Sequence, residues 1–389
     1  MKQPDAIIIG GGIQGVSMAL AAAQRGLHPV LVEKAGLAAG ASGNSYGIVH
    51  GGLRYLQTLD IPRWRRSRLA QAWFLREFPF HVRPLRCVMP LYKGRLRSPK
   101  IFRIAMAFEQ ALAALFDAHV PLPKSQLLTA DAVKNEFGVI TAGLAGAACW
   151  HDAEVIDMPG LLQAMLKRAG LESPSLYMPF EARELLTRQG EVIGLRIADS
   201  NNGDTREIMS RVVINCAGAW AGSWQPTAHC PTAKTLAFNL LLTGKLAGNS
   251  ALAVSPIPGK GRSYFIRPHP DGIFAGTYYR PAPDATEPTV TAADIQDFLD
   301  ELNTALPGMK LHPVAVKEVM AGLLPDKDGS GRQLSSADHI LTHRPHGFYS
   351  IVGGKFTTAP LLSEDAANQI WPHLTRADHM APTLVKHHG

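Results

Sequence analysis

Gly10, Gly12 and Gly15 stand in Gly-x-Gly-x-x-Gly spacing straight after the apolar run Ala6 to Ile9, and that order of residues can hold a pyrophosphate. Gly10 allows the tight turn, Gly12 lets the backbone come close to the phosphates, and Gly15 lets a helix lie against the strand. The amides that open the helix, around Ile13 and Gln14, then face the anion. Glu33 follows 18 residues after Gly15 (33 minus 15), where an acid meets the ribose hydroxyls of an adenosine. Beyond it, Gly36 to Gly52 gathers glycines with Ser42, Asn44, Ser45 and His50, a composition of backbone amides and short polar groups suited to wrapping a ligand.

Those residues need particular elements to place them. Ala6 to Ile9 is short and β-branched, hence a strand, and residues 11–26 read as the first helix, with Gly26 stopping it. Pro29-Val-Leu-Val-Glu33 reads as the second strand. An Arg- and Trp-rich stretch after Leu53 (Arg63, Trp64, Arg65, Arg66, Arg68, Trp73) reads as helical, as do residues 100–117 and Val155 to Ala169. Arg211 to Gly218 reads as a buried strand, and Phe238 to Tyr279 as short strands alternating with turns. Phe348 to Val352 is one more strand, and Gly353 opens a helix running to about Trp371.

A chain of 389 residues suggests two domains, and 46% apolar residues support a sizeable core. The charge of +7 suits anionic ligands or an anionic membrane surface. The scattered basic residues carry no nucleic-acid motif, and Cys87, Cys149, Cys216 and Cys230 have no metal or Cys-x-x-Cys spacing. No metal is expected. With no run approaching the eighteen or so apolar residues of a membrane span, the expected place is the cytoplasm, with at most a peripheral contact at the inner face of the membrane.

His50-Gly-Gly-Leu-Arg-Tyr-Leu56 resembles a loop signature of the FAD-dependent glycerol-3-phosphate dehydrogenases. Phe80 to Lys93, Gly261 to Pro268, Ala321-Gly-Leu-Leu-Pro325 and Gly353-Gly-Lys-Phe-Thr-Thr358 occur in that family's order, and the likeness spans roughly residues 5 to 365. The resemblance implies the α/β fold of the D-amino-acid oxidase superfamily: a discontinuous Rossmann-type FAD domain (1–78, 145–225 and 321–389) and an inserted mixed-sheet substrate or cap domain (79–144 and 226–320). The C-terminal helical domain of many members is expected to be missing.

FAD is the implied cofactor. The resemblance assigns its contacts to the cradle, Glu33 and Lys34, to Ser42, Asn44, Ser45, His50, Gly51 and Gly52, to Ala217 and Gly218, to Gly322, and to Gly353, Gly354, Lys355, Phe356 and Thr357. A flavin gathers negative charge at N1 and the C2 carbonyl, and Gly353 to Thr358 would supply donors there. Oxidising an alcohol also needs a base, for which His50 is the candidate. A small anionic substrate needs fixed cations, which can grip it two-pronged when they are Arg. Arg54 and Lys355, with Tyr55, are the first candidates; Arg262 and Arg267 follow. His50, Arg54 and Lys355 form the expected catalytic set.

The chain departs from the family at three points. Leu324 and Ala337 stand where Arg is usual, and Asn239 where a histidine is usual. Charge-assisted contacts contribute about 1.5–3 kcal/mol each, so two lost arginines weaken phosphate binding by orders of magnitude unless another cation, such as Arg332, replaces them. The leading expectation is oxidation of a C–OH carbon of glycerol 3-phosphate or a related hydroxy acid, with quinone or oxygen as acceptor. The alternatives are oxidation of an amino acid or secondary amine, and a non-catalytic flavoprotein that serves as a binding component, docked on a membrane through residues 62–76. No motif speaks to the oligomeric state.

Overall fold

The computed structural model describes residues 3–92, 98–116, 120–137, 143–172, 175–224, 230, 233–256, 263–326 and 338–374. The chain opens with β1 (Ala6–Ile9), α1 (Ile13–Ala23) and β2 (Pro29–Val32). There follow β3 (Ile48–Val49), a 3₁₀ turn (Leu53–Thr58), α2 (Ile61–Glu77), β4 (Val82–Tyr92), α3 (Pro99–Leu115), β5 (Gln126–Leu128), α4 (Ala130–Phe137) and β6 (Leu144–Val155). Next come α5 (Met158–Arg168), β7 (Leu176–Tyr177), β8 (Phe180–Arg188), β9 (Glu191–Asp199), β10 (Thr205–Met209) and β11 (Val213–Asn215). The remainder is β12 (Lys234–Leu242), β13 (Ala251–Val254), β14 (Tyr264–His269), β15 (Gly272–Pro281), α6 (Ala292–Ala305), β16 (Val316–Pro325), β17 (His339–Thr342), β18 (Phe348–Val352) and α7 (Ala359–Ile370).

Two compact units share these elements: residues 1–43, 157–234 and 324–389 form unit 1, and residues 44–156 and 235–323 form unit 2. The sequence reading assigns 44–78 and 145–156 to the cofactor domain. In the structure both cluster with unit 2, because β3 and β4 each pair with β6 along its length.

Unit 1 holds a six-stranded sheet in the order β17-β18-β11-β1-β2-β7, parallel except for β17. Its strands are nearly continuous apolar runs, as a sheet covered on both faces requires. Ile7, Ile9, Val30, Val32, Val213 and Phe348 pack with Leu195 and Ile197 of the antiparallel sheet β8-β9-β10. β1 lies between β2 and β11, so the chain leaves it on one side for β2 and returns to its other side at β11. Such a reversal opens a crevice at the carboxyl ends of the strands.

Unit 2 is built on a mixed nine-stranded sheet that runs β16-β12-β15-β14-β13-β4-β6-β3, with β5 added on β6; β13 pairs parallel with β4 among antiparallel neighbours. Phe238, Tyr264, Tyr278 and Phe298 stack α6 on the sheet.

Several expected bounds shift. α1 is shorter than residues 11–26, because Gly12 is its extended N-cap and the chain has already turned by Gly26. Val155 does not begin a helix: it ends β6, opposite Val82, and α5 starts at Met158. Gly353 to Phe356 form a turn ahead of α7 rather than its first residues, with Thr358 as the N-cap. The aromatic side chains of residues 62–76 turn inward: α2 buries Trp64 and Phe74 and packs Trp73 on Phe74 and Phe78. α3 carries four exposed large apolar side chains, Ile101, Ile104, Phe108 and Leu115, while Phe80 and Val314 stand exposed singly elsewhere. Among the described residues no helix is long and apolar enough to cross a membrane.

Candidate active site

In unit 1 the expected cofactor residues fall at the carboxyl ends of four adjacent parallel strands: Gly10 after β1, Glu33 after β2, Ala217 and Gly218 after β11, and Gly353 after β18. Gly10 adopts φ +109°, and a Cβ there would stand 2.7 Å from the Cys216 carbonyl oxygen. A Cβ at Gly15 would collide with the Gly10 carbonyl, so α1 can approach β1 only as glycine allows. The first turn of α1 holds no acid, Gly12 gives no side-chain cap, and the Ile13 amide donates to Ser42 Oγ at 2.9 Å. A helix start of this kind favours an anion.

The neighbouring strand ends complete the arrangement. Glu33 Oε2 accepts the Gly11 amide at 2.6 Å and Oε1 the Ala35 amide at 2.8 Å. Each oxygen keeps a further lone-pair direction for a hydroxyl. Asn215 ties β11 to β18, donating to Ser350 Oγ and the Ala221 carbonyl while accepting the Ala217 amide. Gly353 sits against α1 and α7: a Cβ there would stand 3.0 Å from Gln14 Oε1 and 3.1 Å from Leu362 Cδ2. Gln14 donates to Ser363 Oγ at 2.8 Å, while its buried Oε1 has no hydrogen-bond partner. Lys34 lies over the Trp220 ring at 5.4 Å. A glycine cradle at a helix start, a carboxylate at the end of β2 and an unpaired buried oxygen beside the Gly353 turn fit a dinucleotide with a flavin.

Unit 2 holds a different kind of site. β3 pairs antiparallel with β6, Ile48 opposite Glu154 and Val49 opposite Ala153, and continuing that register sets His50 opposite Asp152. His50 Nδ1 is 3.2 Å from Asp152 Oδ2. The same carboxylate accepts the Gly51 amide at 2.7 Å, Trp150 Nε1 at 3.1 Å and Gln71 Nε2 at 3.2 Å. Burial alone would raise the Asp152 carboxyl, but the bonds from His50, the Gly51 amide and Trp150 outweigh it and hold it below the usual carboxylate range. The His50 side chain is 51% exposed and that of Asp152 only 6%. Phe265 lies 5.6 Å from the His50 ring.

Two residues further along β6, Glu154 binds Arg267 at 3.1 Å and Arg83 at 2.7 Å. Arg267 also lies 5.4 Å over the Tyr46 ring and 5.0 Å over that of Phe274. Arg267, expected as a substrate cation, thus shares the buried Glu154 carboxylate with Arg83, two positive charges against one negative. Arg54 is exposed on the 3₁₀ turn, 3.1 Å from Tyr55 Oη and 5.0 Å over its ring. Asn239, where the family has histidine, is buried, donates to the Asn44 carbonyl and accepts Thr277 Oγ1. Ser45 Oγ is buried without a partner. Gly51 and Gly52 lie against Gln71 and Ser67 of α2, and Gly322 is on β16. Lys355, Phe356 and Thr357 lie in the turn after β18, and Arg262, Arg332 and Ala337 fall outside the described residues. Among the described residues no cluster of His, Cys, Asp or Glu could hold a metal.

Sequence reasoning missed Asp152, Trp150, Gln71 and Glu154. His50 and Asp152 are 102 residues apart, and only the β3 to β6 register joins them.

Residues 5–369 match the model of the FAD dependent oxidoreductases. The chain belongs to this family, and FAD is its cofactor. It is 32% identical to glycerol-3-phosphate dehydrogenase 1 of Mycobacterium tuberculosis over 382 residues, covering 94% of this chain and 72% of the relative. The glycerol-3-phosphate dehydrogenase of Bacillus halodurans complexed with FAD superposes with a TM-score of 0.71 at 20% identity, over 97% of this chain and 67% of that one. Glycine oxidase of Geobacillus kaustophilus gives 0.70 at 17% identity over the whole of both chains. At such identities the two structures establish the fold alone.

Proposed function

We propose that this FAD-dependent oxidoreductase oxidises a C–OH carbon of a small anionic substrate, glycerol 3-phosphate or a related hydroxy acid. The observation that carries the reading is His50 held at 3.2 Å by the buried Asp152 carboxylate, a base with its orienting acid. The name of the Mycobacterium relative points to the same alcohol. His50 takes the hydroxyl proton while a carbonyl forms at that carbon. Bound FAD supplies the hydride acceptor at flavin N5, and quinone or oxygen takes up the electrons afterwards. Arg54 and Lys355 are proposed to hold the substrate anion, and Arg54→Ala tests the first of them. Anaerobic addition of glycerol 3-phosphate to the yellow holoenzyme should bleach the flavin absorbance. Intact colour overturns that substrate, as the losses at Leu324 and Ala337 would then have removed phosphate binding.

The glycine oxidase likeness supports a second reading, oxidation of a C–N bond in an amino acid or secondary amine. Ammonia or methylamine release on turnover distinguishes it from alcohol oxidation.

The peripheral membrane contact is proposed on α3 instead of residues 62–76. Ile101, Ile104, Phe108 and Leu115 recur there at helical spacing, exposed, beside exposed Lys100 and Arg103. The holoenzyme should pellet with phosphatidylglycerol vesicles and less with phosphatidylcholine vesicles. Equal pelleting of Ile104→Glu and wild type would remove α3 from the contact.

A further inference from the structure

We infer that Asp152 is the positioning residue that fixes which ring nitrogen of His50 accepts a proton. The inference rests on His50 being the base. Four donors converge on Asp152 and none of its bonds requires it to give a proton: the His50 Nδ1 side and Trp150 Nε1 on Oδ2, the Gly51 amide and Gln71 Nε2 on Oδ1. A buried ionised carboxylate can only accept. The neutral imidazole therefore carries its proton on Nδ1 and presents the Nε2 lone pair as acceptor. Taking the substrate proton at Nε2 then yields an imidazolium beside a carboxylate already poised against it.

The surroundings leave Asp152 no other arrangement. Gln71 Nε2 also donates to the Val49 carbonyl at 2.8 Å, so its amide group cannot turn over without setting oxygen against oxygen. The Gly51 amide is backbone, and α2 crowds it: a Cβ at Gly51 would stand 2.8 Å from Gln71 Oε1. Of the four partners only the imidazole can change from donor to acceptor: Oδ1 faces two fixed donors, the Gly51 amide and Gln71 Nε2, and Oδ2 faces one, Trp150 Nε1, beside His50. In Asp152→Asn the carboxamide NH₂ therefore takes the Oδ2 side, where it opposes one fixed donor, Trp150 Nε1, instead of two, and there it moves the imidazole proton to Nε2 and abolishes the acceptor. The same substitution of an orienting aspartate acts by this tautomer change in serine hydrolases.

The test reads the tautomer directly in ¹⁵N-histidine-labelled holoenzyme, at a pH where the ring is neutral, with the His50 signal assigned by its absence in His50→Gln. Wild type should show a protonated Nδ1 and a bare Nε2, Asp152→Asn the reverse, and Trp150→Phe, which keeps the carboxylate, the wild-type pattern. A wild-type His50 protonated on Nε2 overturns the inference, as does an unchanged tautomer in Asp152→Asn. If Asp152→Asn does not fold, the wild-type signal alone still decides. Stopped-flow reduction by glycerol 3-phosphate separates the two layers. Loss of about 10²-fold or more in both His50→Gln and Asp152→Asn, with FAD retained, supports both. Loss in His50→Gln alone overturns only the positioning role of Asp152, and no loss in His50→Gln overturns the base on which it rests.

Discussion

In unit 1 the cofactor side is made of backbone, amides at the start of α1 and glycines where a Cβ would strike the Cys216 and Gly10 carbonyls. In unit 2 the proposed reactive side is made of side chains, His50, Asp152, Trp150 and Gln71, which meet because strands and a helix distant in sequence converge. A backbone site is written by what is absent at fixed short spacing. A side-chain cluster is written by register. The first therefore tolerates little at its glycines and much around them, and the second can lose its chemistry without losing its fold.

The largest effect should come from Gly15. Its missing Cβ lets α1 meet the Gly10 carbonyl, and Gly15→Val forces helix and strand apart, with overpacking alone costing about 1–3 kcal/mol. The purified variant should be colourless, or fail to accumulate. Gly36→Ala, with nothing within 4 Å of the added carbon, should keep its flavin and melt within about 2 °C of wild type. A yellow Gly15→Val protein would break the claim that the cradle depends on close approach.

On the other side of the comparison, Arg54→Ala should raise KM for the anionic substrate at least about tenfold, the loss of one charge-assisted contact, while the flavin spectrum stays that of wild type. Arg54 is exposed and, among the described residues, lies against Tyr55, so its truncation should leave the fold intact. An unchanged KM would take Arg54 out of the site, and a lost flavin would show that the two units are less independent in function than their construction suggests.

The same contrast explains what was legible beforehand. β1 and β18 have the expected bounds because short β-branched runs ended by glycine have few other folds open to them. Gly10, Gly12, Gly15 and Glu33 are recognisable because their spacing is itself the site. β6 was not, since Leu144-Ala-Gly-Ala-Ala-Cys-Trp-His-Asp-Ala-Glu-Val155 mixes small and charged residues and lacks apolar alternation; it is a strand because β4 pairs with it along its length. The misplaced helix start at Val155 has the same cause. Asp152 could not be found without that pairing. α6 did carry a local signal that went unread: Thr291 and Asp294 form a capping box three residues apart. Arg267 is legible by residue type, but its ion-pair partner Glu154 is 113 residues away (267 minus 154) and invisible at short range.

The last expected effect is on stability, and it separates the two kinds of site by pH. Burial favours a neutral Asp152, yet His50, the Gly51 amide and Trp150 outweigh it and depress its carboxyl in the folded protein. A depressed folded value stabilises above the unfolded carboxylate value, about 3.9, and that stabilisation fades as the pH falls through the folded one. At pH 7, Asp152→Asn should be less stable than wild type by about 2 kcal/mol, the scale of a buried charged hydrogen-bond set losing its match. Thermal melts at successively lower pH should show the two proteins drawing together below about pH 4, because wild type loses there what the variant never had. Gly10→Ala, whose damage is steric, should stay equally far below wild type across the whole range. A gap for Asp152→Asn that stays constant with pH would mean the carboxylate acts by shape rather than charge, and the distinction between the two sites would fail at its most sensitive point.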